Sequence, residues 1–456
     1  MTSSHRSNLY LAATVGVIVA VAALFARVGA DAQWLAALGH VIAQRHSIPT
    51  GIPFAAAPTS HWQNPLVLAE LVFNELELLF GDRGLMLAQL LAVGVAFVVL
   101  GRDARAGGAD PPGTSSALLL AAIGALSSLA IVRVQLFSLV LFPVVVALLR
   151  AEARRPSRRI WLVVPLLALW SNLHGTVLLG LAVVLAYLVC SRQRRDPLVA
   201  MGVAAASILA LCLTPALAST VAYYHSLLTN VAAGRGQGMW AALSLTSPLD
   251  LLLIAAALTL AVRVARARPR LWEWAVLVAL GALTIQASRN GVWLLFFLVP
   301  LAARTFKPTR TWQSLLVPVA VVSLAAVAFA VVRGPAPEGA TPALLTRALT
   351  LAHGSPVLAE DVIAEQISLA GGRVWASDPI DAFSRRDQAI YLDWLQGSPS
   401  GRQALNAAVH VVLVSRGSPA QALMARTPGF TAVGGDARSR IYERESDAHG
   451  RGAHAS

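Results

Sequence analysis

The sequence predicts an α-helical polytopic membrane protein with about 11 transmembrane helices, followed by a small extracytoplasmic α/β domain. Three observations lead to this prediction. Of the 456 residues, 56% are hydrophobic and only 13% are charged. Apolar runs recur along the chain as far as residue 332, and from Gly334 onward the composition is that of a soluble domain. A soluble core cannot absorb so much apolar length.

The net charge of +13 comes from arginines in short clusters between the apolar runs. This arrangement favours topology-setting charge over a nucleic-acid-binding surface, on which the basic residues would share one soluble face. Cys190 and Cys212 both lie within apolar runs, so neither a disulfide framework nor a thiolate metal site is expected. The segment Met1–Tyr10 resembles the start of a signal peptide, but no A-x-A-like site clearly follows it. An uncleaved first helix is therefore predicted.

The apolar runs are long enough to cross the hydrocarbon core of a bilayer, which is about 30 Å thick. They cover residues 9–28, 84–101, 115–131, 134–149, 160–190, 198–214, 248–263, 271–287, 290–304 and 312–332. Arginine clusters flank the run 160–190 on both sides, which predicts that both of its ends are cytoplasmic. The chain must then turn back inside this run, and the polar stretch Trp170–Gly175 is the expected turn.

With a cytoplasmic N-terminus, the other basic clusters also fall on the cytoplasmic side. These clusters are Arg102 with Arg105; Arg263, Arg266, Arg268 and Arg270; and Arg304, Lys307 and Arg310. Polar residues from distant parts of the chain are then predicted to converge on the extracytoplasmic face. They are Asp31 and the 31–83 loop, Arg133, Asn172, His174, the 215–247 loop with Tyr223, and Arg289 with Asn290.

Asp31 directly follows the first span, where an enzyme acting on a lipid-borne substrate would hold a base. A helix-capping or interfacial carboxylate is the structural alternative. Arg133 and Arg289 each stand in a tight turn between two spans, on the same face as His174. Either arginine alone could snorkel to headgroups, but together with His174 they favour a site for a phosphate or diphosphate anion.

The first loop is predicted to hold two helices, over residues 31–45 and 64–80, with a break at 48–54. The first helix is amphipathic and is expected to lie on the membrane surface. The second carries Glu70 among apolar neighbours, whereas Glu75 and Glu77 are typical of a solvated face.

Three regions are predicted: a transmembrane domain over 1–333, an α/β domain over 334–446 and a disordered tail over 447–456. Gly334–Gly339 is the expected joint between the domains. In the α/β domain, strands are predicted over 373–377, 409–415 and 441–444, and helices over 388–396 and 419–425. Its sequence shows no phosphate loop, metal-ligand cluster or triad-like grouping, which favours packing or partner binding over catalysis.

Two motifs are fairly specific: Arg-Val-Gln-Leu-Phe-Ser at Arg133–Ser138 and Trp-Ser-Asn-Leu-His-Gly at Trp170–Gly175. Shorter motifs are Asp31, Trp34, Gly39, Ile42, Ile48-Pro49, Pro53-Phe54, Trp62, Asn64, Glu70, Arg289-Asn290, Val374-Trp375, Tyr391-Leu392 and His410–Val414. Together they resemble the bacterial integral-membrane glycosyltransferases of the GT-C superfamily, especially the RgtA/B/C/D-like and related uncharacterised membrane proteins. Leu35, Ile52 and Pro65-Leu66 depart from that pattern, which has polar or acidic residues there.

The resemblance implies transfer of a sugar, with inversion, from a polyprenyl-phosphate donor to a glycan, lipid or protein acceptor. The reaction would take place at the extracytoplasmic face of the bacterial inner membrane. Asp31 would be the general base and Glu70 a second carboxylate. The residues that would bind the lipid phosphate or sugar are Arg133, Asn172, His174, Arg289, His61 and Tyr223. No cofactor, metal or nucleic acid is assigned, and the departures at Leu35 and Ile52 leave a divalent cation unsupported.

Two other functions stay open. One is a non-enzymatic flippase or transporter for lipid-linked sugars, which would use the same basic face as a headgroup site. Polar residues in the middle of the spans would favour it, and these spans contain very few. The other is a degenerate, inactive member of the family with a structural role in envelope assembly.

Overall fold

The computed structural model describes residues 3–306 and 316–445, in which a long series of helices is followed by a small sheet. The basic residues Lys307 and Arg310 and the predicted tail 447–456, with His449 and His454, lie outside the described residues. In the first part of the chain the helices are α1 Ser3–Leu24, α2 Ala32–Arg45, α3 Val67–Phe80, α4 Asp82–Ala106, α5 Pro111–Gly124, α6 Leu126–Ala130, α7 Leu136–Arg154, α8 Val163–Ser171, α9 Val177–Tyr187, α10 Pro197–Ala210, α11 Thr220–Thr229, α12 Val231–Arg235, α13 Pro248–Arg266, α14 Leu271–Gln286, α15 Gly291–Ala302 and α16 Leu316–Arg333.

Each predicted apolar run contains a helix, and four of the described helices are long and apolar enough to cross a membrane: α4, α7, α13 and α16. Shorter apolar helices cover Asn8–Leu24, Val177–Arg192, Pro197–Ala210 and Leu271–Gln286. The total of about 11 spans therefore stays a prediction. Helix α15 is buried along almost its whole length, whereas α16 leaves apolar side chains such as Val332 exposed at 74%. Helix α15 is thus the centre of the bundle and α16 lies at its edge.

The run 160–190 breaks where the sequence predicts a turn. Helix α8 ends at Ser171 and α9 begins at Val177, and the amide of His174 donates to the Trp170 carbonyl at 2.9 Å. The polar residues between the two short helices are therefore held in a tight turn at one end of the bundle.

A two-stranded parallel ladder joins the ends of two helical segments. Strand β1 Arg27–Val28 pairs with β2 Ile131–Val132, and the amide of Gly29 donates to the Val132 carbonyl at 3.1 Å. A side chain at Gly29 would meet the Ile131 side chain at 2.3 Å, so this close approach needs glycine. The ladder brings Asp31 and Arg133 to the same end of the molecule.

The C-terminal part contains a four-stranded sheet of order β3-β4-β6-β5, in which β3 and β4 are parallel and the other pairs antiparallel. Its elements are β3 Val357–Ala359, β4 Val411–Ser415, β5 Phe430–Gly435, β6 Ser439–Arg444, α17 Pro342–Ala352, α18 Asp361–Leu369, α19 Arg385–Leu395 and α20 Pro419–Met424. The predicted strand 373–377 is not part of the sheet. Instead, Val374 forms isolated β-bridges with Val357 of β3 and with Ala55 of the first loop. It therefore connects the sheet to the first loop.

Helix α2 does not lie freely on a surface. Its residues from Ala32 to Gly39 are all buried, because the helix packs between α3 and α18. A side chain at Gly39 would lie 2.1 Å from the Glu70 carbonyl oxygen, so α2 and α3 are in backbone contact. The C-terminal part of the chain therefore packs directly on the segment that begins at Asp31.

Candidate functional site

One cavity of about 350 Å³ lies where the first loop, the turns between spans and the C-terminal part meet. The residues that line it come from six regions of the chain. They are Asp31, Trp34, Trp62, Leu66, Arg133, Val134, Gln135, His174, Gly175, Thr176, Leu178, Leu179, Ala182, Tyr223, Leu227, Leu228, Asn230, Met239, Trp240, Leu283, Arg289, Asn290, Trp293 and Asp378–Asp381. Five of the residues predicted for the site, Asp31, Arg133, His174, Tyr223 and Arg289, are among them.

Asp31 precedes α2 with φ at 81°, a left-handed conformation that is unusual for a residue other than glycine. A carboxylate from α18 holds this backbone. Glu365 Oε1 accepts from the Asp31 amide at 2.7 Å, and Oε2 accepts from the Gln33 and Trp34 amides at 3.0 and 3.3 Å. Glu365 thus satisfies three free amides at the start of α2. It also fixes the backbone position from which the Asp31 side chain extends.

Arg133 and Arg289 bring two positive charges to the cavity. Within residues 3–306 and 316–445, neither guanidinium has a carboxylate within 4.0 Å. Arg133 Nε is buried without a hydrogen-bond partner there, and the Arg289 guanidinium lies 3.8 Å from the centre of the Trp240 ring. Both arginines are half-buried, and a partly desolvated cation without an ion-pair partner is costly, so this end of the cavity is suited to an anion.

His174 is held by a set of hydroxyl groups. Its Nδ1 lies 2.7 Å from both Ser138 Oγ and Thr176 Oγ1, and the Trp170 indole donates to Ser138 Oγ at 2.7 Å. These bonds engage Nδ1 and fix the plane of the ring. The other ring nitrogen, Nε2, has no partner among the described residues and is available to a ligand.

Asp378 and Asp381 were not predicted for the site. They follow the segment 373–377 in the C-terminal part and reach the cavity with Pro379 and Ile380 between them. Asp381 accepts from the Trp62 indole at 3.2 Å. The available sequence signal was weak: two acidic residues around a proline, just after a short apolar segment that was predicted as a strand.

Burial raises the pKa of the carboxyls in this region. It raises the pKa of Asp31, against the opposing charges of Arg133 and Arg289, and it raises that of Asp381 to about 6. The pKa of Asp378 is raised well above its usual value, by burial and then by the nearby charge of Asp31. The carboxyls of the site therefore hold a proton more tightly than exposed aspartates do, and Asp381 can exchange one close to neutral pH.

Three other predicted residues do not line the cavity. Glu70 is fully buried in α3, where its Oε2 accepts from Asn64 Nδ2 at 2.6 Å. Asn172 donates to the carbonyls of Ala168 and Leu213, at 2.8 and 2.7 Å, and His61 is exposed. Their predicted roles in catalysis or substrate binding stay predictions.

The cavity has a second, apolar part. Leu178, Leu179 and Ala182 of α9 and Leu227 and Leu228 of α11 line it. Leu228 is 58% exposed, so this wall extends to the surface of the molecule. The cavity thus offers charged groups at one end and an aliphatic wall beside them.

No group of three histidine, cysteine or acidic side chains that could hold a metal ion is found in the part of the chain that the structure describes.

Two solved structures share this architecture at low sequence identity. The crystal structure of ArnT from Cupriavidus metallidurans bound to undecaprenyl phosphate is similar with a TM-score of 0.52 and 14% identity, over 98% of this chain and 99% of that chain. The cryo-EM structure of arabinofuranosyltransferase AftD from Mycobacteria gives a TM-score of 0.52 and 16% identity, over 97% of this chain and 42% of that chain. No family model and no curated protein matches the sequence. The predicted resemblance is confirmed for the fold alone: the chain has the GT-C-like fold of these two structures.

Proposed function

We propose that the protein is a membrane glycosyltransferase that moves a sugar from a polyprenyl-phosphate donor to a hydroxyl of a glycan, lipid or protein acceptor. The observation that carries the proposal is the make-up of the cavity. A carboxylate, Asp31, shares its polar end with Arg133 and Arg289, which no carboxylate within 4.0 Å neutralises in the described part of the chain. The apolar wall lies beside them. A polyprenyl phosphate has the same two parts, an anionic head and an aliphatic chain.

In the proposed reaction, Asp31 is the general base. The acceptor hydroxyl gives its proton to the Asp31 carboxylate while its oxygen attacks the anomeric carbon. The bond from that carbon to the phosphate oxygen breaks on the opposite face, which inverts the configuration, and its electron pair leaves with the lipid phosphate. Burial raises the pKa of Asp31, which makes its ionised form a stronger base than an exposed aspartate.

The two arginines stabilise the leaving phosphate, whose negative charge grows in the transition state. Guanidinium groups suit this task because they present paired donors to phosphate oxygens. His174 offers Nε2 to the phosphate or to a sugar hydroxyl. Asp378, which lines the cavity close to Asp31, is proposed to form a hydrogen bond with a hydroxyl of the sugar or the acceptor.

The proposed function also implies an orientation of the chain in the membrane. It gives the chain about 11 spans, a cytoplasmic N-terminus, and a cavity and C-terminal domain (334–446) outside the bacterial inner membrane. The positions of the arginines support this orientation: the large basic clusters around Arg154, Arg194 and Arg268 all lie at the end of the helices remote from the cavity, as expected for a cytoplasmic side.

The test compares Asp31→Asn with wild-type protein in lipid vesicles, by measuring the release of polyprenyl phosphate from a labelled pool of polyprenyl-phosphate sugars. Loss of the base should lower turnover by roughly 10²- to 10⁴-fold, with thermal stability unchanged. Glu75→Gln is the matched control, because Glu75 is an exposed carboxylate of the same loop, and it should keep the wild-type rate.

Wild-type turnover in Asp31→Asn would overturn the assignment of the base. If wild-type protein moves labelled donor between leaflets without releasing polyprenyl phosphate, the transferase proposal fails and the flippase is favoured.

A further inference from the structure

A second pocket lies at the opposite ends of the helices that form the cavity. The cavity takes residues from the start of α7, the end of α14 and the start of α15, whereas this pocket takes residues from the end of α7, the start of α14 and the end of α15. Helix α7 has 19 residues, which at 1.5 Å per residue separates the two sites by roughly 28 Å. The two sites therefore lie near opposite faces of the bundle.

Five arginines line this second pocket, together with a single carboxylate. The pocket has a volume of about 120 Å³. Its lining includes Arg150, Arg154, Arg268, Arg270, Arg304 and Glu273. We call it the arginine pocket.

Two of the five arginines are neutralised inside the protein. Arg150 lies 3.0 Å from Asp103 Oδ2 and 3.6 Å from Glu273 Oε1, and Arg154 lies 3.4 Å from Asp103 Oδ1. Asp103 is buried, at 5% exposure. These contacts make a rigid floor in which the charges of two arginines are matched by two carboxylates.

The other three arginines, Arg268, Arg270 and Arg304, line the same pocket. In the described part of the chain, Arg268, Arg270 and Arg304 have no carboxylate within 4.0 Å. The Arg304 guanidinium lies directly against Gly107, so close that a side chain there would meet Nη2 at 2.6 Å and Nε at 2.8 Å. Glycine at this position lets the guanidinium lie along the edge of the pocket. All three are exposed, and Glu273 and Asp103 offset the charge of the lining only in part, because Arg150 and Arg154 already pair with them. The pocket therefore keeps a net positive charge, and a bound anion lowers the repulsion among its arginines.

We infer that the arginine pocket binds a phosphate group, in the form either of an anionic phospholipid headgroup at that membrane face or of a free phosphate. Guanidinium forks match phosphate oxygens in paired contacts, and the pocket lies at the ends of apolar helices, where headgroups are found. This site is separate from the cavity, so the inference does not depend on the proposed glycosyl transfer. The general preference for basic residues on one membrane side does not require three of them to converge over a buried ion-pair floor.

The test is to reconstitute the full chain in nanodiscs of phosphatidylcholine alone, or with a minor fraction of phosphatidylglycerol, and to count retained lipids by native mass spectrometry. Wild-type protein should retain phosphatidylglycerol selectively. The triple variant R268A/R270A/R304A should bind phosphatidylglycerol with an apparent affinity at least tenfold lower than that of wild-type protein. The matched control is R158A/R159A/R194A, which removes three exposed arginines at the same end of the bundle that do not line the pocket, and it should retain the lipid.

Equal loss in the two triple variants would overturn the inference, because it would show that only the overall charge matters. So would an absence of selective retention in wild-type protein together with no binding of inorganic phosphate. If inorganic phosphate binds to wild-type protein and not to R268A/R270A/R304A, and displaces the lipid, the ligand is a free phosphate. If it does not compete, the ligand is the headgroup. Arg304→Lys keeps the charge but not the fork, so it guards against a folding defect and should weaken binding only in part.

Discussion

Helices α7, α14 and α15 carry arginines at both ends, and the two ends of the bundle treat this charge differently. At the end away from the cavity, Arg150 is only 2% exposed. It is bonded to Asp103 at 3.0 Å and to the Phe297 carbonyl at 2.6 Å, and Glu273 lies 3.6 Å away. Its Nη1 and Nη2 groups are thus bonded inside the protein, whereas Nε, with Glu273 Oε1 at 3.6 Å, has no hydrogen-bond partner among the described residues.

At the cavity end, carboxylates and arginines share one space without forming ion pairs within 4.0 Å among the described residues. Arg289 stacks on Trp240 and Asp31 is bonded through its backbone to Glu365. The comparison teaches that charge alone does not mark a functional site. The buried charges of Arg150, Asp103 and Glu273 stabilise the packing of helices, whereas those of Asp31, Arg133 and Arg289 are not paired with one another within 4.0 Å.

The largest expected effect is on stability, at the Arg150–Asp103 ion pair at the end of the bundle away from the cavity. Asp103→Ala leaves Arg150 buried without its principal partner, which should cost roughly 3–5 kcal/mol of the free energy of unfolding. Thermal or denaturant unfolding in detergent measures it. The double variant D103L/R150M replaces the pair by apolar groups and should recover most of the loss. A single variant as stable as wild type would show that the ion pair does not hold the bundle.

Glu70 tests the opposite case, a buried carboxyl on the cavity side with no cation within 4.0 Å in the described residues. Burial raises its pKa from 4.5 to about 8. The folded state therefore binds more protons than the unfolded state between these values, and its stability must fall as the pH rises through that interval. One pKa unit corresponds to about 1.4 kcal/mol, so the total loss should be on the order of a few kcal/mol.

Glu70→Gln removes this titrating group and should flatten the dependence of unfolding free energy on pH between 4.5 and about 8. Glu75→Gln is the control and should follow the wild-type curve. A Glu70→Gln curve parallel to wild type would show that Glu70 is ionised in the folded protein.

Arg289→Ala should reduce kcat/KM for a polyprenyl-phosphate sugar by about 10- to 100-fold, since a hydrogen bond to a charged group contributes roughly 1.5–3 kcal/mol. Stability should change little, in contrast with Asp103→Ala. Arg289→Lys should fall between, because it keeps the charge but loses the fork. Arg235→Ala is the control: Arg235 pairs with Asp393 at 2.7 Å, outside the cavity lining. Equal effects at Arg235 and Arg289 would remove the case for a phosphate site.

The smallest expected effect concerns Glu365, which positions Asp31 and does not line the cavity. Glu365→Gln replaces one of the oxygens that accept from the amides of α2, and should lower kcat about three- to tenfold, a loss on the order of one hydrogen bond, with little change in KM. Burial and the nearby charges of Asp378 and Asp31 raise the pKa of Glu365 well above its usual value, so the substitution alters its hydrogen bonds to the amides of α2 more than its charge. A fall in kcat at unchanged KM and unchanged thermal stability is therefore the readout that separates positioning from folding.

Glu360→Gln alters a carboxylate of the same C-terminal region, bonded to Ser415 and Ser418, and should leave kcat and KM unchanged. A loss of thermal stability in Glu365→Gln large enough to account for the fall in kcat would mean that Glu365 acts only on folding.

The residues that the long helical part of the chain contributes to the site could be predicted from the sequence. Arg133, His174 and Arg289 each interrupt or border an apolar run, where a polar side chain needs a partner or a task, and the alternation of spans puts them at one end. The turn at Trp170–Gly175 followed from charge on both flanks of its run. Each of these features can be recognised from a short segment of the chain or from the number of predicted spans that precede it.

The contribution of the C-terminal part could not be predicted in this way. Glu365, Asp378 and Asp381 reach the site because α18 packs on α2 and because Val374 pairs with the first loop. Such contacts between distant segments leave no periodic signal in a single sequence. For the same reason, the amphipathic pattern of α2 indicated a membrane surface, although its apolar face is covered by protein.

The short ladder of β1 and β2 sets a distance. Arg27 and Val28 are in register with Ile131 and Val132, and Asp31 and Arg133 follow within a few residues of these pairs. The short backbone segments that follow these pairs therefore set the distance between Asp31, the proposed base, and Arg133, which is proposed to bind the phosphate. Inserting one residue between Val28 and Asp31 would leave every charged side chain present and yet turn the base away from its neighbour, so this site is as sensitive to chain length as to side-chain chemistry.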